Sequence, residues 1–289
     1  MSAQTRLPVA KTYKLYVGGK FPRTESGRTF EARSPRGDLL AHLCRASRKD
    51  LREAVVAARK AFPGWSGRSG YNRGQILYRI AEMLEGRAGQ FAQELSAQGA
   101  TPAQAKKEVE SAADRLVHYA GWADKYAQLH SSVNPVASPH FNFSTPEPMG
   151  VVGILAPDEP ALLGLVTLLA PALAGGNAIV AHLSETHSLA PATFAEVLND
   201  SDVPPGVVNL LTGHRDELLP HLSAHMDVNA LFSSGLTPSE RKLAEENAVQ
   251  NLKRIATLPP KDVAAANHPG LNPILALQET KTTWHPVGT

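Results

Sequence analysis

Among 289 residues there is a single cysteine, Cys44. One thiol excludes an internal disulfide and a zinc site built on cysteines. An excess of charge of either sign is also missing: 29 Lys and Arg stand against 27 Asp and Glu, a formal net charge of +2 with the histidines neutral. The basic residues are scattered and form no stripe that could track phosphates, so neither nucleic acid nor an acidic membrane is expected as a partner. Long apolar runs are lacking as well. The longest, 161–174, contains Thr167 and Pro171, is too short to span a bilayer, and reads as a buried core helix. The opening residues hold no stretch fit for a signal peptide, which makes a soluble, cytoplasmic protein the expectation. No internal repeat or low-complexity block is visible.

What is present is a 43% hydrophobic chain, long enough for one large α/β domain with appendages. Residues 1–130 read as an extended arm followed by helices. LYVGGKF places alternating residues around Gly18-Gly19, a hairpin signal. Ser47 with Asp50 three residues on predicts a capping box, opening a helix whose apolar face is Leu51, Ala54, Val55, Ala58 and Phe62 and which Pro63-Gly64 should end. A second helix carries Ile76, Leu77, Ile80 and Leu84, and a third starts at Thr101-Pro102. Residues 131–149 hold four prolines, with Phe141 and Phe143 alternating with polar residues. They predict a protruding edge hairpin, because prolines would punctuate a central strand.

From Gly150 the pattern alternates strictly. VVGILA, AIVAH, VVNLL and NALFS predict strands, with helices between and after them over 161–174, 191–199, 216–224 and 238–249. Four strand–helix units with nearly continuous apolar strands predict a doubly wound parallel sheet over 150–250. Residues 251–276 have weak periodicity and read as a short linker. Residues 277–289 read as a β-leaning tail needing a strand to pair with.

These residues carry a family likeness. ASRKDLREAVVAARKAFPGWS, YAGWADK, EPMGVVGILAP, APALAGGN and PPGVVNLLTG together resemble the aldehyde dehydrogenases, in order over roughly the first 240 residues. The closing ETKTTWHPVG resembles that family's C-terminal oligomerisation strand. The resemblance implies a Rossmann-like nucleotide domain, an oligomerisation element made of the 131–149 hairpin and the tail (Phe141, Phe143, Thr280, Thr282, Trp284), and a catalytic domain. Only about 30 residues fill the gap where the catalytic domain should lie, too few for a core of their own.

The family's chemistry starts from a cysteine thiolate. Cys44 matches no catalytic position of the family and reads as a small buried hydrophobe. The family's general-base glutamate has no counterpart. Where the family has an asparagine whose amide donates to the oxyanion, this chain has Asp158 and Glu159, and an ionised carboxylate cannot donate. Their expected role is to complement a helix dipole in its first turn. His182 replaces a lysine that helps hold the adenosine ribose, while Glu185 matches a glutamate that contacts ribose hydroxyls. In the phosphate-binding turn Gly235 and Thr237 match, but Leu236 replaces a serine and Glu240 a second glycine, putting a side chain and a negative charge where backbone should approach phosphate. The three-glycine dinucleotide fingerprint is absent. His182 and His187 flank Glu185, but five residues apart at a strand end and loop they suggest no metal site. The resemblance therefore implies a non-catalytic, aldehyde dehydrogenase-like subunit, not an enzyme on its own. No cofactor is expected, NAD(P) being the one the family would take. The expected partner is itself or a full-length aldehyde dehydrogenase that it scaffolds or regulates. The competing expectation is an NAD(P)-dependent aldehyde oxidoreductase or nucleotide-binding module with atypical residues.

Overall fold

The computed structural model describes residues 9–265 and 269–288. The first eight residues of the expected arm, and 266–268 of the expected linker, lie outside them. The elements in chain order begin with β1 (Lys11–Tyr13), β2 (Thr29–Arg33) and β3 (Leu39–Cys44). Then come α1 (Arg48–Ser66), α2 (Gly70–Glu85), α3 (Ala88–Ala97), α4 (Pro102–Trp122) and α5 (Tyr126–His130). A hairpin of β4 (Ser132–Asn134) and β5 (His140–Pro148) precedes the alternating half: β6 (Val151–Leu155), α6 (Ala161–Ala174), β7 (Ala178–His182), α7 (Leu189–Asn199), β8 (Val208–Leu211), α8 (Arg215–Ala224), β9 (Ala230–Ser233) and α9 (Pro238–Ala248). The chain closes with β10 (Arg254–Thr257), α10 (Pro260–Ala264), α11 (Asn272–Leu275) and β11 (Gln278–Pro286).

Five strands form one parallel sheet in the order β10-β9-β6-β7-β8, a doubly wound α/β arrangement. Its strands β6 to β9 are buried along their whole length, which is why they read as continuous apolar runs. Helix α6 is buried at every position and packs against α4, α2, α7 and the short α10 and α11. Tyr16 exchanges both backbone hydrogen bonds with Leu210 (3.0 and 2.8 Å), so the arm covers the outer edge of β8.

The caps follow the sequence. Ser47 and Asp50 form a reciprocal capping box on α1, and Thr101 and Gln104 form one on α4. The LYVGGKF turn is present, with Val17 and Lys20 bonded to each other and Gly18 and Gly19 at φ +62° and +72°.

Several expectations need correction. The arm contains a three-stranded sheet, β1-β3-β2, whose short strands show no regular alternation of buried and exposed positions. Helix α1 does not stop at Pro63-Gly64. It runs to Ser66 because the buried Trp65 anchors its last turn and Gly67 N–H donates to the Pro63 carbonyl (3.1 Å). Helix α3 was missed altogether. Strand β5 lies inside its sheet, in the order β11-β5-β4, despite its prolines. It tolerates Pro146 and Pro148 because β4 covers only Asn142–Ser144, leaving the proline end with one unpaired side. Residues 251–276, expected to be a linker, contribute the fifth sheet strand β10, in parallel register with β9.

The tail is tied to the sheet through Asn177. Its Oδ1 accepts from Gly150 N–H (3.1 Å) and its Nδ2 donates to the Leu277 carbonyl (3.1 Å), all out of water. Asn177→Ala is expected to leave the buried Gly150 N–H unsatisfied, while Leu277 keeps its bond from Gln278 Nε2, and to cost about 1–3 kcal/mol, read as a lower urea midpoint at unchanged m-value.

Candidate functional site

The strand order places β7 and β8 on one side of β6, and β9 and β10 on the other. The connection therefore switches direction between β6 and β9, and a doubly wound sheet has its ligand crevice at such a point, beyond the carboxyl ends of the strands. Here the loops after β6, β7, β8 and β9 meet.

Asp158 organises this edge. Its Oδ1 accepts from Ser184 Oγ (2.8 Å), Glu185 N–H (2.9 Å) and Thr186 N–H (3.3 Å). Burial works to raise its pKa, but the Ser184 and backbone hydrogen bonds and the nearby Arg215 charge outweigh it and hold the carboxyl below its ordinary value. Glu159 lies 3.5 Å from His187 Nε2. Neither residue occupies the first turn of a helix, as the sequence had suggested, because α6 begins only at Ala161. The acid at the α6 N-terminus is Glu108 of α4, whose Oε1 accepts from Leu162 and Leu163 N–H (2.8 and 3.2 Å). Burial pushes its carboxyl up, against the pull of those two bonds. Sequence reasoning missed Glu108. The available signal was a helix opening on Pro160, with no side chain of its own to satisfy its first N–H groups.

Glu185 accepts from the Arg215 backbone N–H at the start of α8, and its Oε2 lies 3.8 Å from His214 Nδ1. His182 is 1% exposed, and its Nε2 donates to the Gly213 carbonyl at 3.0 Å. Burial above all, opposed by that bond and helped by the Arg215 charge, lowers its pKa to about 4. Gly235 turns with φ +75°, with nothing near the position a side chain would take. Leu236 packs against the apolar cluster of Leu51, Val55 and Leu218. Thr237 caps α9 and Glu240 completes a capping box: Glu240 Oε2 accepts from Thr237 N–H (2.8 Å) and Thr237 Oγ1 (2.9 Å). Among the described residues no group of three or more His, Cys, Asp or Glu is placed to hold a metal. Cys44 is buried at the end of β3 in that same apolar cluster.

The five assembly residues divide between two faces of the β11-β5-β4 sheet. Strand β11 pairs antiparallel with β5 over nine residues, Gln278↔Pro148 to Pro286↔His140. Phe141 and Phe143 lie together on one face, rings 5.5 Å apart, beside the exposed Val133. Thr280, Thr282 and Trp284 alternate onto the other, where Thr282 Oγ1 is 2.8 Å from Ser144 Oγ and Trp284 meets His140 edge-on.

A parallel sheet wound this way, with its crevice at the switch point, defines a Rossmann-like nucleotide domain. Residues 21–258 match the model of the aldehyde dehydrogenase family, and the chain belongs to that family. It is 32% identical over 245 residues to an aldehyde dehydrogenase of Alternaria alternata, covering 83% of this chain and 49% of that protein. It is 32% identical over 254 residues to a mitochondrial benzaldehyde dehydrogenase of Antirrhinum majus, covering 86% of this chain and 47% of the relative. Among solved structures, PnpE from Pseudomonas sp. WBC-3 superposes with a TM-score of 0.81 at 31% identity, over 85% of this chain and 50% of that one. The NAD+ complex of an aldehyde dehydrogenase from Bacillus cereus gives 0.81 at 26% identity, over 86% and 51%. The chain thus spans about half the length of the curated relatives it matches.

These relatives correct one expectation. The reading that this is not an enzyme on its own, an aldehyde dehydrogenase-like pseudoenzyme, is overturned: the proteins it matches are named as dehydrogenases, which are enzymes. Degenerate motif positions speak about particular contacts and do not remove a chain from an enzyme family. No described helix is long and apolar enough to cross a membrane.

The edge as it stands does not fit a dinucleotide's phosphates. At the N-terminus of α9, which would receive them, Glu240 N–H donates to Thr237 Oγ1 and Thr237 N–H to the Glu240 carboxylate, which also brings a negative charge. Arg215, which sequence reasoning also missed, lies in the crevice itself with its side chain only 12% exposed.

His182 gives the edge a pH signature. The unfolded chain binds a proton at the ordinary value near 6.5, the folded chain only near 4. Stability is therefore retained above pH 6.5 and lost as pH falls from there to about 4, by an amount on the order of 3 kcal/mol. Denaturant titrations of wild type and His182→Gln across this range should converge as the pH drops. A difference that stays constant with pH would assign the slope to other groups.

Proposed function

We propose that this chain is an assembly subunit of the aldehyde dehydrogenase family. It docks through the β11-β5-β4 sheet onto a second chain of the same family, a copy of itself or a full-length member, and scaffolds or regulates the resulting oligomer. The observation that carries this reading is the nine-residue pairing of β5 with β11. That pairing presents a long β11 whose outer edge meets no strand among the described residues, next to an apolar face of Val133, Phe141 and Phe143. Unpaired edges and exposed aromatics are costly to leave in water, and strand addition by a neighbour satisfies both. The likeness of ETKTTWHPVG to the family's pairing strand supports the same surface.

The second reading, an NAD(P)-dependent aldehyde oxidoreductase, is favoured by the kinship with dehydrogenases and by the NAD+ bound in the Bacillus cereus neighbour. It requires the crevice to rearrange, since Glu240 and Arg215 now occupy it. Aldehyde-dependent NAD(P) reduction by the pure chain, lost in Asp158→Asn or His182→Gln, would carry that reading.

Light scattering after size exclusion tests the first. Wild type is expected at twice its 30.9 kDa or more, alone or mixed with a full-length family member. Val133→Glu/Phe141→Glu, both at exposed positions, should shift it to monomer while the far-UV spectrum is retained. A wild type monomeric at every concentration, alone and in the mixture, would sink the proposal.

A further inference from the structure

Arg215 opens α8, the helix that follows β8. Its side chain leaves that end of the sheet and reaches the far side of the switch point. Nη2 donates to the carbonyl of Ala156, just past β6, at 2.8 Å. The guanidinium also lies 4.0 Å from Asp158 Oδ2 and 3.8 Å from Glu240 Oε1 at the start of α9. Because β7 stands between β8 and β6, and β9 lies beyond β6, the arginine spans the carboxyl ends of the strands that form the crevice. A dinucleotide lying across this edge would need the same space.

The two carboxylates make the closure specific. Glu240 is fixed by its capping box, and Asp158 by three hydrogen bonds from 184–186. Each therefore presents a fixed negative charge toward the guanidinium, and each would repel a pyrophosphate if the guanidinium left. At the carboxyl ends of these strands several buried side-chain atoms have no hydrogen-bond partner: Arg215 Nε itself, His182 Nδ1, and the hydroxyls of Ser233 and Ser234 at the end of β9. Buried polar groups are ordinarily satisfied, so four of them at this end of the sheet are polar capacity that the protein's own groups leave unused.

We infer that Arg215 is a built-in occupant of the nucleotide crevice, pinned between Ala156, Asp158 and Glu240, and that this ion-paired plug keeps dinucleotides out of it. The inference is independent of the assembly reading, because it concerns the opposite feature of the molecule and is read by a different measurement.

The test is titration calorimetry with NAD+ and with NADP+ on the full chain. The proteins compared are wild type, Arg215→Met, Glu240→Gly and the double variant. Methionine keeps the apolar stem without the charge, and Glu240→Gly leaves the Thr237 cap in place. The expected result is little or no heat with wild type and a gain in affinity of at least about tenfold in the double variant, accompanied by a rise in Tm with ligand. Wild type binding as tightly as the double variant would overturn the inference. So would a double variant that unfolds cooperatively like wild type and still fails to bind. If the double variant does not fold, Arg215→Met/Glu240→Gln, which keeps the side-chain volume at 240 and removes its charge, decides: a gain over wild type supports the plug, and equality in a folded protein ends it.

Discussion

The structure depends on the burial of α6. Its fourteen residues have no polar face, and every one of them is shielded from water. A helix that is apolar all round needs cover on all sides. The sheet provides one side, α4 and α2 another, and the short helices α10 and α11 close the remainder. This explains why the N-terminal helices and the segment after the sheet are parts of one core. It also explains why Glu108 reaches from α4 to the α6 N-terminus, where buried N–H groups would otherwise be orphaned.

The charge pattern at the carboxyl edge follows from the same dryness. Helix N-termini and buried loops there need acceptors, and Asp158, Glu185 and Glu240 supply them to the 184–186 turn, α8 and α9 respectively. In a phosphate-binding edge those donors would be left for the ligand. Here the protein's own carboxylates take them, and the accumulated negative charge recruits Arg215. The three acids and the arginine form one electrostatic unit, and altering any of them changes what the others can hold.

The assembly sheet obeys a different constraint. Its inner face is polar and cross-linked, with Asn134 bonded to Asn142 and Ser144, and Ser144 to Thr282. Gln278 anchors its last strand by donating to the Gly175 carbonyl and accepting from Tyr126. The sheet is therefore held rigidly to the nucleotide domain while Val133, Phe141 and Trp284 remain in water, a combination suited to meeting another surface.

The sequence by itself determined four strands of the parallel sheet, the helices between them and the caps of α1 and α4, because apolar period and capping residues there are local signals that the fold obeys. It also determined which motif positions depart from the family pattern. It did not reveal β2, β3 or β10, whose short segments show no clean alternation of buried and exposed positions and became strands by pairing, β2 with β3 and β10 with β9. It identified Glu240 and Asp158 as negative charges in the wrong place, but gave them roles in isolation. Only the tertiary structure decided that Glu108, not Asp158 or Glu159, caps α6, and that Arg215 bridges Asp158 and Glu240. Those contacts join residues tens of positions apart, and their geometry is set by which strands the winding of the sheet makes adjacent.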